Sequence, residues 1–204
     1  MKVVLTDYAY DTLQPFSDVY QAAGVEFIPL QCKSKQEVLQ ATEYADGVMT
    51  HYAHIDREVI DNLKNCKIII RSAVGVENIN VEAANQRGIS VANVPDYCIE
   101  EVSDYVILLL LASAKKFCVL ERMVQRGEWD YAITKPSDTI HGKTLGLVGC
   151  GNIARAVARK AKVFDMDIIG CDPGVTEQEV AKYGIHLLPQ EKVLQDSDFL
   201  SLHA

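Results

Sequence analysis

Two residue patterns in this sequence could do chemistry, and the clearer one is a glycine turn. The stretch LGLVGCGNIARAVA, residues 145–158, contains G-x-G-x-x-A directly after an apolar run and at the start of a helical pattern. Gly149 permits a tight turn, Gly151 lets a ligand approach the backbone, and Ala154 lets the helix pack closely on the strand. Free N–H groups at the start of a helix attract an anion. The pattern therefore predicts a site for the pyrophosphate of a dinucleotide.

Asp172 lies 23 residues after Gly149, at the end of the strand that is predicted next. A carboxylate at that position accepts hydrogen bonds from the ribose hydroxyls of a dinucleotide. It would also repel a 2′-phosphate, so the sequence favours NAD over NADP. The alternative is that Asp172 only begins the Asp-Pro-Gly turn at residues 172–174, with the glycines serving a steric purpose. The spacing favours the dinucleotide interpretation.

The second pattern lies in the stretch RSAVGVENIN, residues 71–80. A predicted strand runs into Ala73-Val74-Gly75, and a helix begins near Asn80. Backbone N–H groups at such a strand-to-helix turn can bind a carboxylate without a charged side chain. The same residues also fit an ordinary turn in which glycine adopts a positive φ. The residues by themselves leave both interpretations open.

The elements that must position these patterns alternate along the chain. Short apolar runs, typical of strands covered on both faces, are separated by helical segments. The predicted strands are residues 2–7, 26–31, 46–51, 67–73, 90–94, 145–149, 167–172, 185–189 and 198–204. Repeated strand–helix–strand order predicts parallel sheets with right-handed crossovers. We therefore predict an α/β fold of two parallel-sheet units.

A long helix is predicted between the two units. It runs from about residue 100 to residue 127 and is apolar enough to be largely buried. Two other helices begin with a capping box, Ser34 with Glu37 and Thr176 with Glu179.

The composition argues against several classes of protein. The chain has 204 residues, 49% of them hydrophobic, which is enough for one or two domains. With a net charge of −8 and no basic block interleaved with aromatic residues, a nucleic-acid partner is not expected. The longest apolar run, residues 105–114, is about half a membrane span. Six cysteines without metal-ligand spacing and no signal peptide predict no metal site and a reducing, cytoplasmic setting.

Further runs carry a resemblance to a known family. They are R-x-x-V-G-V-E-N-I-N at residues 71–80, A-x-x-R-G-I-x-V-x-N-V-P at residues 84–95 and the closing DSDFLSLHA at residues 196–204. Together with residues 145–158 they resemble the D-isomer-specific 2-hydroxyacid dehydrogenases over nearly the whole chain. The run NVPDYC, residues 93–98, is especially similar to the branch related to C-terminal-binding proteins.

The resemblance implies a function for each unit. Residues 1–99 would form a flavodoxin-like substrate-binding domain, and residues 100–204 the N-terminal part of a Rossmann domain that binds NAD, so that the second unit is incomplete. The substrate would be a small 2-oxo or D-2-hydroxy acid, and the complete protein would be a homodimer. The implied substrate-binding residues are Val74, Gly75, His51 and Tyr97. The implied cofactor-binding residues are Val74, Val102, Gly149, Gly151, Asn152, Ile153, Asp172 and Ala204. For His51 and Tyr97, simple packing stays an open alternative.

Hydride transfer would need further groups. A base must take the hydroxyl proton, a carboxylate must orient that base, and a cation must hold the substrate carboxylate. In the family the arginine, glutamate and histidine follow the S-L-H strand, so the resemblance places this catalytic set beyond Ala204. Of the five histidines, His51 is the one expected near the substrate, and Arg71 fits better as a support for its loop. We therefore expect the chain to be truncated, inactive by itself, and poorly soluble or oligomeric.

Some positions depart from the family pattern and leave the substrate preference open. Ala73 stands where relatives usually have glycine, and Glu77 and Asn80 stand where they usually have aspartate. The alternative function is an NAD-sensing, non-catalytic interaction module similar to C-terminal-binding proteins, which would need the glycine turn and Asp172 but not the catalytic set. A third, weaker alternative is S-adenosylmethionine in the same turn, in which the Val74–Gly75 loop has no role.

Overall fold

In the computed structural model, which describes residues 1–135 and 139–203, the strands form two separate parallel sheets. The sheets belong to two units, residues 1–97 and residues 98–204. The predicted α/β class with two parallel-sheet units is confirmed. The boundary between the units follows residue 97 in the structure, whereas the sequence predicts it after residue 99.

The first unit contains a five-stranded sheet in the order β2-β1-β3-β4-β5. Its strands are β1 (Lys2–Leu5), β2 (Glu26–Pro29), β3 (Gly47–Thr50), β4 (Ile68–Arg71) and β5 (Ser90–Ala92), and its helices are α1 (Gln14–Ala22), α2 (Lys35–Thr42), α3 (Arg57–Asn62) and α4 (Val81–Gln86). This strand order is that of flavodoxin-like folds. All four residues of β3 are buried, because the strand lies inside the sheet with both faces covered.

The second unit contains a four-stranded sheet in the order β8-β7-β6-β9. Its strands are β6 (Thr144–Val148), β7 (Asp167–Cys171), β8 (Ile185–Leu187) and β9 (Phe199–Leu202), and its helices are α5 (Ile99–Ala114), α6 (Phe117–Gln125), α7 (Asn152–Ala161), α8 (Glu177–Ala181) and α9 (Gln190–Asp196). Short 3-10 turns cover Tyr131–Thr134 and Lys162–Phe164. Helix α7 buries mainly alanines, whose small side chains let it approach α5 closely.

The predicted single helix over residues 100–127 is wrong. The segment forms two helices, α5 and α6, because Lys116 adopts the left-handed conformation with φ 52° and ψ 36°. The N–H groups of Lys115 and Lys116 donate to Leu111 and Ser113 and so end α5. The segment is also less buried than predicted, since Ser103, Leu110 and Ala114 are the buried residues of α5, and Val102, Tyr105, Leu108 and Leu109 are exposed.

Both predicted capping pairs are present. The Ser34 hydroxyl accepts from the Glu37 N–H at 3.3 Å, although the Glu37 carboxylate reaches back to the N–H of Lys33 instead of Ser34. Thr176 and Glu179 form the complete reciprocal box at the start of α8. Among the described residues, no helix has the length and apolar character that a membrane crossing requires. No cluster of metal-ligating side chains occurs in the same residues.

A buried carboxylate holds the loop that follows β3. Asp7, which closely follows the end of β1, is 8% exposed. Five groups donate to its oxygens: the backbone N–H groups of His51, Tyr52 and Ala53 and the hydroxyls of Thr6 and Thr50. Burial by itself raises the pKa of this carboxyl, but the hydrogen bonds outweigh burial and hold the pKa below its ordinary value. The loop is therefore tied to the sheet by an ionised side chain.

We expect Asp7→Asn to lower the free energy of unfolding at neutral pH by about 2–3 kcal/mol, because an amide cannot accept all five hydrogen bonds and brings donors of its own. A lowered folded-state pKa contributes stability that is complete above the unfolded pKa, near 4, and is lost as the pH falls through the folded value. The difference between the parent and the variant should therefore shrink below about pH 4. Urea unfolding followed by circular dichroism at pH 7, 5 and 3.5 measures it.

The control is Asp61→Asn, which makes the same chemical change on the exposed surface of α3. Its unfolding curve should match the parent at every pH. Equal effects of the two substitutions would show that Asp7 has no special role in the loop.

Candidate functional site

The glycine turn of the second unit joins β6 to α7. Gly149 follows β6 and has φ +89°, a conformation that glycine adopts without strain and other residues rarely adopt. Its N–H donates to the carbonyl of Cys171 at 2.9 Å, which ties the turn to the end of β7. Ala154, in the first turn of α7, is fully buried in the core of the unit. Gly149 and Ala154 therefore have the steric tasks that the sequence predicts for them.

Gly151 is not required by the protein's own packing. Its φ of −74° suits any residue, and a Cβ at this position would meet no atom within 4 Å. No side chain caps the start of α7, a helix of ten residues, so its first N–H groups are available to a ligand. The helix dipole adds a partial positive charge at the same point. Open space and free donors together suit the approach of a phosphate group to the backbone.

Asp172 follows β7 and connects the turn after β6 to the turn after β7. Its Oδ2 accepts from the N–H of Cys150 at 2.8 Å, and its Oδ1 accepts from the N–H of Gly174 at 2.7 Å. These two hydrogen bonds, helped by the nearby charge of Arg155, hold the pKa of Asp172 below its ordinary value. Asp172 thus begins the Asp-Pro-Gly turn, as the alternative interpretation has it. It is also an ionised group beside the glycine turn.

A cavity of about 740 Å³ opens at the carboxyl ends of the strands of the second unit. Its lining residues are Val148, Gly149, Gly151, Cys171, Asp172, Pro173, Leu188, Gln190 and His203. The volume is in the range of small-molecule and cofactor sites. Ligands of open α/β sheets bind at this edge. The structure therefore brings Gly149, Gly151 and Asp172 together around one space.

The sequence does not predict six of the lining residues as ligand contacts: Val148, Cys171 and Pro173, which adjoin the predicted residues, and Leu188, Gln190 and His203, which lie farther along the chain. Leu188 follows β8, Gln190 begins α9, and His203 follows β9. Burial lowers the pKa of His203, so the ring is neutral at pH 7. The signal that could have found them is positional, because residues directly after parallel strands meet at one edge of the sheet.

The lining residues of the cavity do not include Asn152, Ile153 or Val102, which the sequence predicts as further cofactor contacts. Asn152 is exposed at the first position of α7, and Ile153 packs against the core. Val102 lies on α5, is 38% exposed and is not among the lining residues. Ala204 lies outside the described residues. Their roles in cofactor binding stay predictions.

Cys150, between the two glycines of the turn, is a packing residue. The side chain is fully buried, and its sulfur fills the space beside Gly170 of β7, where a Cβ would approach it to 2.6 Å. Burial raises the pKa of the Cys150 thiol to about 11, so it is neutral at physiological pH.

In the first unit, the loop of Val74 and Gly75 turns its carbonyl groups towards the chain that follows β5. The N–H of Val94 donates to the carbonyl of Ala73 at 3.1 Å. The Asn93 side chain donates to the carbonyl of Val74 at 2.6 Å. Within the described part of the chain, the backbone N–H groups of residues 74–76 have no acceptor. Such a row of free donors suits a carboxylate.

Gly75 does not adopt a positive φ, so the alternative of an ordinary left-handed glycine turn is wrong. A side chain at Gly75 would instead collide with the carboxylate of Glu77 and approach Nη1 of Arg71 to 3.3 Å. Arg71 Nη1 and Glu77 Oε2 form an ion pair at 2.6 Å. The Glu77 carboxylate thus fills the space over Gly75, and a side chain at this position would have to displace it.

His51 lies beside this loop, but its ring is packed among aromatic side chains. The ring stacks on Tyr10 at 5.3 Å and on Tyr52 at 4.1 Å between centroids, and its Nδ1 is buried. Its carbonyl oxygen accepts from Arg71 Nε at 3.4 Å. Tyr97 is exposed at the end of the first unit. The stacking favours the packing interpretation for His51, and substrate contact by either residue stays a prediction.

Comparison with known proteins identifies relatives over both units. Residues 107–204 match a family described as "D-isomer specific 2-hydroxyacid dehydrogenase, NAD binding domain". A D-3-phosphoglycerate dehydrogenase of Methanocaldococcus jannaschii is 32% identical over 209 aligned positions, which cover 100% of this chain and 38% of that protein. A glyoxylate reductase of Korarchaeum cryptofilum is 36% identical over 174 positions, which cover 83% of this chain and 52% of that protein. The chain therefore spans about half, or less, of these relatives.

Solved structures with the same fold cover the whole chain. The TT0316 protein from Thermus thermophilus is 30% identical with a TM-score of 0.85, and the match covers 100% of this chain and 65% of that one. A glyoxylate reductase from Paecilomyes thermophila has a TM-score of 0.89 at 24% identity with the same coverage, a likeness that concerns the fold alone.

The two glycines of the turn should respond differently to alanine. Gly151→Ala should leave thermal unfolding unchanged, because a Cβ at this position meets neither strain nor contact. The same substitution should weaken NADH binding by about tenfold or more, because the methyl group occupies the space of the ligand. Gly149→Ala should lower the stability by about 1 kcal/mol or more, because φ +89° strains alanine. Differential scanning calorimetry and NADH fluorescence titration measure the two effects. Unchanged NADH affinity in a folded Gly151→Ala protein would contradict this assignment.

Proposed function

We propose that the chain is part of an NAD-dependent 2-hydroxyacid dehydrogenase, because residues 107–204 match the family described as the NAD-binding domain of the D-isomer specific 2-hydroxyacid dehydrogenases. The observation that carries the proposal is the site in the second unit. There Gly151, which stands with open space above it at the uncapped start of α7, and the ionised Asp172 line one cavity. The reaction would be hydride transfer between NAD(H) and a small 2-oxo or D-2-hydroxy acid.

Each unit would supply one kind of binding group. In the second unit, the backbone around Gly151, Asn152 and Ile153 would bind the pyrophosphate, and Asp172 would accept hydrogen bonds from the ribose hydroxyls. In the first unit, the free N–H groups of residues 74–76 would bind the carboxylate of the substrate. NAD would supply the hydride acceptor of the reaction, and Gly151, Asn152, Ile153 and Asp172 would hold and orient it. Val74, Val102 and Ala204 remain candidates for further cofactor contacts.

The names of the relatives support a small carboxylic acid as substrate. They are called D-3-phosphoglycerate dehydrogenase and glyoxylate reductase, so both a phosphorylated and an unphosphorylated acid stay open for this protein. Nothing in the relatives' names favours the alternative of a non-catalytic interaction module or the branch of C-terminal-binding proteins. The dehydrogenase is therefore the function that we propose.

The complete protein would be a homodimer in a reducing, cytoplasmic setting. In support of a dimer, α5 and α6 expose large apolar side chains in the described chain, among them Tyr105, Leu108, Leu109 and Phe117. Contiguous exposed apolar surface of this kind is typical of protein interfaces. In support of the setting, the six cysteines are free thiols.

The 204-residue chain should bind NADH without oxidising it. In residues 1–135 and 139–203, the pairs of a histidine with a carboxylate are His141 with Asp165 and His186 with Glu177, and both pairs are exposed and away from the cavity lining. Among the residues that the structure describes, no histidine paired with a carboxylate lies beside the cofactor site. NADH fluorescence reports binding, and absorbance at 340 nm with glyoxylate, hydroxypyruvate or pyruvate reports turnover. Steady turnover by this chain would refute the expectation, and absence of NADH binding would refute the proposed function.

The intact mass of the protein purified from its source complements that experiment. A mass near 22.6 kDa would leave a binding role for the chain. A mass larger by about half, with NADH oxidation, would support the complete dehydrogenase.

Asp172 should set the preference for NADH over NADPH. Asp172→Asn keeps an oxygen that can accept from the Cys150 N–H but removes the charge that repels a 2′-phosphate. We expect NADH affinity to fall about threefold to tenfold and the ratio of NADH to NADPH affinity to fall further. Asp167→Asn, at an exposed position of β7, removes the same charge and should change neither affinity. If the affinities for NADH and NADPH fall by the same factor, Asp172 only supports the turn and does not discriminate between the two cofactors.

A further inference from the structure

Glu77 lies across the loop that the proposed function assigns to the substrate carboxylate. Its Oε2 is so close to Gly75 that a Cβ there would overlap it, and the same oxygen pairs with Arg71 Nη1 at 2.6 Å. The side chain therefore folds back over the turn between residues 74 and 77 while most of its surface stays exposed. A carboxylate of the protein itself already lies at a turn whose backbone N–H groups are free of other acceptors among the described residues.

The two partners of this ion pair differ in their environment. The Arg71 side chain is 11% exposed, whereas the Glu77 side chain is 75% exposed. The hydrogen bond with Arg71 holds the pKa of Glu77 below its ordinary value, so the carboxylate is charged at neutral pH. A largely buried guanidinium needs an anionic partner, and leaving it alone is costly. The exposed glutamate gains little from this particular position, because water solvates its carboxylate almost as well.

These differences make Glu77 replaceable by another carboxylate. An incoming anion that pairs with Arg71 leaves the buried cation neutralised, while Glu77 swings into water at a small cost. The incoming group can in addition accept from the free N–H groups of residues 74–76, which gives it donors that point away from the Asn93 and Val94 side of the loop.

We propose that Glu77 is an internal competitor for the substrate: in the free protein its carboxylate occupies the space over Gly75 and pairs with Arg71, and a 2-oxo acid binds by displacing it. This inference rests on the proposed function, because it takes the loop of Val74 and Gly75 as the site of the substrate carboxylate. Glu77 then lowers the affinity of the loop for every carboxylate, and it keeps Arg71 neutralised when no substrate is bound.

The test compares carboxylate binding to the 204-residue chain and to its Glu77→Gln variant. Glutamine has nearly the same shape but no charge, so it competes weakly for Arg71. The probe is oxamate, an unreactive carboxylate shaped like a small 2-oxo acid, added at constant ionic strength. The amide signals of residues 74–76 in ¹H–¹⁵N NMR spectra report binding at the loop. We expect Glu77→Gln to bind oxamate about threefold to fivefold more tightly than the parent.

Glu82→Gln is the matched control. Glu82 is exposed in the first turn of α4, where its partner is Gln86 on the same helix, so this change removes the same charge five residues away. Its oxamate affinity should equal that of the parent, which separates direct competition from a general change in net charge. Spectra of both variants should match the parent outside the loop, as evidence that each is folded.

The possible outcomes separate this inference from the proposed function. Tighter binding by Glu77→Gln alone supports the competitor role. Equal or weaker binding by Glu77→Gln, with shifts still at residues 74–76, overturns the competitor role and leaves the carboxylate loop in place. If oxamate shifts these signals in none of the three proteins, the loop is not a carboxylate site, and that part of the proposed function fails together with the inference.

Discussion

The hydrogen bond from the Cys150 N–H to the Asp172 carboxylate joins the two strands on which the cofactor site depends. It links the turn after β6 to the end of β7, and the bond from the Gly149 N–H to the Cys171 carbonyl reinforces the link. Asp7 does the equivalent task in the first unit, where it binds the loop after β3 from the end of β1. In both units, an ionised side chain at the carboxyl edge satisfies backbone N–H groups that the sheet cannot, and so shapes the edge at which ligands of such folds bind.

Both candidate sites offer backbone N–H groups to an anion. The start of α7 offers uncapped donors with a helix dipole. The loop at residues 74–76 offers N–H groups without an acceptor among the described residues, while the carbonyls of Ala73 and Val74 accept from Val94 and Asn93. Such groups act at hydrogen-bond distance and hold a fixed direction, so they function in a chain whose net charge is −8. Arg71 is the cation that contacts the loop, and Glu77 already neutralises it.

The break between α5 and α6 illustrates what a local pattern cannot reveal. No glycine or proline stands at Lys115 or Lys116, and the apolar residues continue on both sides, so the pattern predicts one helix. A left-handed conformation costs a residue such as lysine about 1–2 kcal/mol. Contacts made elsewhere by the two helices must offset that cost, and their strength is not written in the neighbouring residues. The strands, in contrast, were all predicted, because each depends on a short apolar run of its own.

The sequence by itself determined the alternation of strands and helices, the parallel sheets, the glycine turn and the position of Asp172 beside it. These features follow from local periodicity and from the steric freedom of glycine, which neighbouring residues reveal. Only the tertiary structure decided that Gly151 has open space above it, that Leu188, Gln190 and His203 line the same cavity, and that Glu77 lies over Gly75. These features depend on the strand order β8-β7-β6-β9 and on how the side chains pack against the folded loops. Residues far apart in sequence become neighbours there because parallel strands end at one edge.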